Sequence, residues 1–242
     1  MRPDKPRLLL FLGAGASADS GLPTFRTGAA PVWAGASAEE VCDIRTWQAN
    51  YERVLAFYDD QRAALASVAP NAMHAAVARW QRRYDTVLFT TNVDDLLERA
   101  GCRDVLHLHG SLLGMVCRAC AATWPVAPGR RTAPDAACPA CGATRSVKPA
   151  VEFFGEDGPL HAVFDAAFKS DAMHPGDVTL VIGASGYSVP MEFFCWRRPG
   201  FRVLNNLAPS PWIDERLFDR VIHARAVDAV GEIDAILAAR LG

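Results

Sequence analysis

Cys117 and Cys120, then Cys138 and Cys141, form two CxxC pairs in the stretches MVCRACAATW and AACPACGAT. Two such pairs at modest separation close a tetrahedral thiolate shell around one Zn²⁺, and the spacing rarely arises from unrelated buried thiols. The metal would pin two short turns of small residues side by side, the frame of a zinc ribbon. With all four positions filled by sulfur, no place is left for water or substrate, so the ion is expected to hold structure while chemistry lies elsewhere. A disulfide framework fits less well. The chain has 7 Cys, an odd number, and Cys42, Cys102 and Cys195 have no evident partners, which suits a reducing cytoplasm.

With 242 residues, 50% of them hydrophobic, and a net charge of -2, the chain can bury a large core and has no global pull toward nucleic acid or an anionic membrane. Arg130-Arg131 is the one hint of a nucleic-acid contact, and two arginines in a loop are ordinarily just solvated. The start MRPDKPRLLLFLGAG sets basic residues before an apolar run as a signal peptide does, but Leu8 to Leu12 is too short for that role and ends in glycines. It reads as a first strand. No segment approaches the roughly 18 unbroken apolar residues of a membrane span. Nothing calls for a second copy, and a monomer is expected.

Short apolar runs alternate with helical patterns: RLLLFL, DTVLFTT, DVLHLH, DVTLVIG, FRVLNN and RVIHA. Continuous apolar strands separated by helices predict an α/β fold with a doubly wound parallel sheet covered on both faces. Residues 39–83 carry apolar positions at helical spacing, notably in WQANYERVLAFYDDQRAAL, and read as an inserted helical module. The cysteine segment, 113–156, interrupts the sheet a second time. The predicted organisation is therefore a Rossmann-like lobe from 1–38, 84–112 and 157–242, with a smaller lobe made of the helical module and the zinc ribbon. A ligand cleft is expected between the lobes.

The first strand runs into Gly13-Ala14-Gly15-Ala16-Ser17-Ala18. Glycines between a strand and a helix permit a tight turn whose amides can hold a pyrophosphate. The usual dinucleotide fingerprint also wants a strand-end acid about 20 residues on. Here Glu39 and Glu40 fall at that distance in apparent helix, so a conventional dehydrogenase is not indicated.

The longer segment GAGASADSGLPTFR closely resembles the opening signature of the sirtuins, the NAD⁺-dependent protein deacylases. In the same order as in that family, TTNVDDLLERAG resembles its TQNID segment, LHLHGS contains its His-Gly, and the CxxC pairs match its zinc module. VKPAVEFFGE is similar to its RPxVVxFGE, and GASGYSVP and NNLAP continue the match. The resemblance spans nearly the whole chain. It implies a Rossmann lobe for NAD⁺, a small lobe of zinc ribbon plus helices, and an acyl-lysine peptide between them.

In sirtuins the acyl oxygen attacks the nicotinamide ribose C1′, and a histidine then acts as general base on a ribose hydroxyl; neutral imidazole suits that task near pH 7. The resemblance assigns this role to His109, which directly precedes glycine. Strand alternation would place His107 on the same face and does not choose between the two rings. His107 and His74 in PNAMHAAVARW are otherwise read as satisfied structural histidines. The resemblance further implies that Gly13, Ala14, Gly15, Ser17, Ala18, Thr91, Gly183, Ser185 and Asn206 contact the cofactor. Asn92 would lie near the nicotinamide ribose and orient water as a second catalytic residue, Asp94 would meet the nicotinamide amide, and Phe25 and Arg26 would belong to the cofactor loop. Val151, Phe153, Phe154 and Gly155 would form the acyl-lysine tunnel, and the segments after Glu156 and from Gly186 to Val189 would flank the peptide as strands.

The chain departs from the family pattern in several places. Thr91 replaces the glutamine of TQNID and is too short for the same reach, Thr24 replaces an aspartate, and Lys148 replaces an arginine. An ADP-ribosyltransferase or NAD⁺ hydrolase therefore stands as an alternative outcome, as does a non-enzymatic NAD⁺-binding module. Tyr58 matches the tyrosine of the Tyr-x-x-Arg pair that binds acidic acyl groups in some relatives, but Gln61 holds the arginine position and Arg62 is displaced by one residue, about 100° around a helix. Neutral acyl groups are expected to be preferred over succinyl or malonyl.

Overall fold

The computed structural model describes residues 6–24, 37–131, 137–156, 158, 175–191 and 199–242. In chain order the strands are β1 (Leu8–Leu12), β2 (Thr86–Thr90), β3 (Leu106–His107), β4 (Gly110–Cys117), β5 (Thr123–Pro125), β6 (Val147–Val151), β7 (Val178–Ile182), β8 (Phe201–Asn206) and β9 (Arg220–His223). The helices are α1 (Gly15–Ala18), α2 (Ala38–Val41), α3 (Tyr51–Ala66), α4 (Ala72–Arg83), α5 (Leu96–Arg99) and α6 (Ala226–Leu241). Phe25, Arg26 and Cys195 lie outside the described residues.

All six anticipated apolar runs become strands of one parallel sheet, in the order β3-β2-β1-β7-β8-β9. Every residue of the central β1 and β7 is buried, which is why these runs show no polar alternation. Leu8, Leu10 and Leu12 face α4 and α6, while Phe11, Phe89 and Val181 pack on the opposite face against Val189, Ile213 and Phe218. The chain winds from β1 to β3 on one side and from β7 to β9 on the other. The order reverses between β1 and β7, so a crevice opens past their C-terminal ends.

The second sheet, β5-β4-β6, is antiparallel and carries the four cysteines. Leu112, Met115 and Val147 pack there with Tyr51, Val54, Leu55 and Tyr58 of α3 in a separate core. One boundary differs from expectation. Residues 39–83 do not form a single small-lobe module, because Met73, Ala76, Val77 and Trp80 of α4 are buried in the large-sheet core, and Trp80 Nε1 donates to Asp234 of α6 at 2.6 Å. A helix's apolar stripe reads the same whichever core it faces, so periodicity alone could not assign it. Conversely Leu96, from the start of α5, joins the small-lobe core. No described helix is long and apolar enough to cross a membrane.

Candidate active site

The turns that follow β1 and β7 touch at the switch point. Gly13 N donates to Ile182 O and Gly15 N to Gly183 O, both at 2.9 Å, and a β-carbon on Gly13 would stand 2.5 Å from Gly183 O. Glycine at 13 and 15 is thus required by the packing of two backbones. The amides of Gly13, Gly15, Ala16 and Ser17 are bonded inside the fold. Helix α1 has a single turn, and of these residues Ala14 alone keeps an amide with no partner among the described residues.

Ser17 is the hub beneath this turn. Its buried hydroxyl donates to Asp94 Oδ2 at 2.9 Å and accepts from Asn92 Nδ2 at 3.1 Å, with His74 Nε2 at 3.3 Å. Asn92 Nδ2 also reaches Gly13 O at 3.1 Å, and its amide donates to Thr90 Oγ1. The Asn71 amide donates to His74 Nδ1, so the neutral ring carries its proton on Nε2 and gives it to Ser17. One donor and two acceptor sites of the hydroxyl are then filled. Burial lowers the His74 pKa to about 4, consistent with that neutral form, and burial raises the Asp94 carboxyl against the pull of the Leu96 amide and Ser17.

The two candidate base histidines part company. Strand β3 ends at His107, so alternation stops there and the rings take different partners. His107 Nδ1 meets Asn92 O at 2.7 Å and Nε2 meets Glu98 at 2.8 Å. Burial lowers its pKa, but Glu98 and the Asn92 carbonyl outweigh that and leave the ring above its usual value. His107 therefore clamps β3 to α5. His109 sits in the joint between the two sheets, with Nδ1 2.7 Å from Glu152 Oε2 and Nε2 3.3 Å from Ser188 Oγ. Gly110 makes the joint possible: its φ is +79°, and a β-carbon there would lie 2.0 Å from Ala150 O.

Around this joint the remaining residues divide. Thr91 is bonded through its amide to Leu12 O, Asn206 Nδ2 turns inward to Ala184 O at 2.9 Å, and Ser185 is exposed. Val151 is buried, and Gly155 adopts φ +84° with Ile44 close by. Phe153 is 1% exposed, stacked 5.7 Å from Tyr58 with Lys148 Nζ 4.0 Å from its ring centre, so in this structure it is core, whereas Phe154 is exposed. Tyr58 is sealed against Phe153 and hydrogen-bonded to Cys42. Arg62 is wholly buried, bonded to Leu112 O at 3.1 Å and paired with Asp59, which Arg131 also holds. Its guanidinium is thus engaged by groups of α3 and β4. Residues 186–189 form bends and no strand, because Gly186 takes φ +79° against Ile213 and Trp212. Of residues 157–174, directly after Glu156, only Gly158 is described.

The sulfurs of Cys117, Cys120, Cys138 and Cys141 all lie within 4.8 Å of one another, with Cys117 to Cys141 at 3.8 Å and Cys120 to Cys138 at 3.6 Å. A tetrahedron with Zn–S bonds of about 2.3 Å has edges of about 3.8 Å, so the cluster fits the ion. Residues 13–190, most of the chain, match the Sir2 family. The chain belongs to the Sir2 family. A Helicobacter hepaticus Sir2 relative described as an NAD-dependent protein deacylase is 34% identical over 95% of this chain and 96% of its own. A Pseudomonas aeruginosa NAD-dependent protein deacylase 1 is 41% identical over 76% of this chain and 75% of its own. The crystal structure of a Sir2 homolog-NAD complex superimposes with a TM-score of 0.82 at 29% identity, covering 98% of this chain and 91% of that one.

His74 is the satisfied structural histidine that the sequence suggested, bonded to Asn71 and Ser17, whereas Glu152 beside His109 was not singled out. His74 follows the helix cap Asn71 by three residues, a capping-box spacing that signals its role at the start of α4. Glu152 stands out only as an acid in the otherwise apolar run VKPAVEFF.

Proposed function

We propose that this chain is an NAD⁺-dependent protein-lysine deacylase in which His109 is the general base. The observation that carries this reading is the placement of one ring between two lobes: Nδ1 is held by Glu152, just past β6 of the small sheet, and Nε2 lies on Ser188, past β7 of the large sheet. NAD⁺ would lie in the crevice past β1 and β7, with the Ala14 amide, Ser185 and Asn206 toward its phosphates and adenosine ribose. Asn92 and Asp94 would face the nicotinamide ribose and amide, held in place by Ser17. Bound NAD⁺ supplies an electrophilic ribose carbon and a nicotinamide leaving group. His109 takes a proton at Nε2 from a ribose hydroxyl, and Val151 with Gly155 borders the acyl-lysine chain. Zinc, held by Cys117, Cys120, Cys138 and Cys141, keeps the small sheet in register. The simplest form of the proposal is a monomer working in the cytoplasm.

Neutral acyl groups are favoured, because Arg62 is committed to Asp59 and Leu112 while Gln61 offers no charge. A charged hydrogen bond contributes about 1.5–3 kcal/mol, so acetyl-lysine should exceed succinyl-lysine roughly 10- to 100-fold in kcat/KM. The test incubates the protein with NAD⁺ and acetyl-, propionyl- and succinyl-lysine peptides, following nicotinamide and peptide masses. Deacylation with O-acyl-ADP-ribose, reduced about 10²- to 10⁴-fold in His109→Ala, is the expected result. Nicotinamide release with intact acyl-peptide would replace the reading with NAD⁺ hydrolysis or ADP-ribosyl transfer.

A further inference from the structure

Glu152 lies where the similar family pattern RPxVVxFGE has valine, and it is tied to His109 twice. Its carboxylate meets Nδ1 at 2.7 Å, and its amide donates to the His109 carbonyl at 2.9 Å. Its own carbonyl accepts the Cys42 thiol at 3.8 Å, and Cys42 is in turn bonded to Tyr58. The carboxylate is therefore carried on a backbone segment fixed from both sides, with a largely buried side chain. Neutral imidazole has two tautomers, and an acceptor-only carboxylate at Nδ1 selects the one whose Nε2 is unprotonated and can act as a base. The neighbouring Ser188 hydroxyl, 3.3 Å from Nε2, can donate to that lone pair.

We propose that Glu152 is a positioning residue that fixes the tautomer and orientation of His109. This rests on His109 being the base in the deacylase reading. When Nε2 takes the hydroxyl proton, the ring becomes a cation, Nδ1–H stays donated to Glu152, and no proton passes to the carboxylate. The carboxylate stabilises the charge as it forms, as in serine-histidine-aspartate sites.

The first measurement is nitrogen NMR of the NAD⁺-free protein with labelled histidine, at a pH where the ring is neutral. His109 should carry its proton on Nδ1 and His74 on Nε2, each an internal reference for the other. Glu152→Val should move the His109 proton to Nε2 or mix the tautomers, leaving His74 unchanged, while Glu152→Gln, whose amide oxygen still accepts, should keep it on Nδ1. In turnover, Glu152→Val should lose roughly 10- to 100-fold in kcat with little change in KM for NAD⁺, and Glu152→Gln should recover part of that loss. A wild-type His109 protonated on Nε2 overturns the proposal even if the variants fail to fold. So does a folded Glu152→Val with the wild-type tautomer, or one with kcat within threefold of wild type. If the wild type removes no acyl group, the deacylase reading falls, while the tautomer still decides what Glu152 does.

Discussion

At the scale of single residues, the Ser17 hydroxyl joins three elements: the β1 turn, the segment after β2 through Asn92 and Asp94, and α4 through His74. Removing it in Ser17→Ala leaves buried polar groups short of a partner, which costs about 1–3 kcal/mol. Chemical denaturation should show that loss. His74 adds a pH dependence. Its folded pKa of about 4 lies below the ordinary 6.5, so between these values the unfolded chain binds more protons and stability rises with pH. The contribution is complete above about 6.5, declines as pH falls toward 4, and amounts to about 3 kcal/mol across the window. His74→Gln should flatten the melting temperature between pH 6.5 and 4; an unchanged slope would place the titration elsewhere. Ser17, Asn92 and Asp94 were legible from motif resemblance, whereas the His74 contact was not, since a histidine on an apolar helix face gives no sign of which buried hydroxyl it meets.

At the scale of elements, the six strands were legible because each is a continuous apolar run, as burial on both faces requires. What the pattern could not carry was assignment, and α4 went to the wrong lobe for that reason. Alternation failed for the two histidines because β3 stops at His107, a boundary set by the sharp turn at Gly110. That glycine brings β4 against β6 and so brings His109 to Glu152. In Gly110→Ala the left-handed φ costs about 1–2 kcal/mol and the approach to the Ala150 carbonyl costs a further 1–3 kcal/mol or so. The variant should unfold at clearly lower denaturant and lose the Nδ1 tautomer of His109. A substitution tolerated with full stability would show that the β4–β6 approach is not tight.

At the scale of the whole molecule, two separately packed cores meet at the joint that carries His109. The large sheet is covered on both faces by its own helices and loops, and it needs nothing from the ribbon to bury β1 and β7. The small core counts Cys117 and Cys138 among its buried members, while Cys120 and Cys141 reach them from the exposed side, so an ion held by all four would tie that core to its surface turns. Without the ion, sulfurs 3.6 to 3.8 Å apart either repel as thiolates or sit as unligated thiols, and the constraint that joins β4 to the second CxxC turn is gone. Chelation should therefore melt the molecule in two steps. Amide exchange should accelerate first in β4, β5, β6 and α3, while β1, β2, β7 and β8 stay protected. Activity should vanish with the first step, because His109 and Glu152 are held by the small sheet's attachment to the large one. Readdition of zinc should restore both. A single cooperative loss of protection through both sheets would instead make the ribbon an integral part of one folding unit, and retained activity in the metal-free protein would free the His109 joint from any dependence on it.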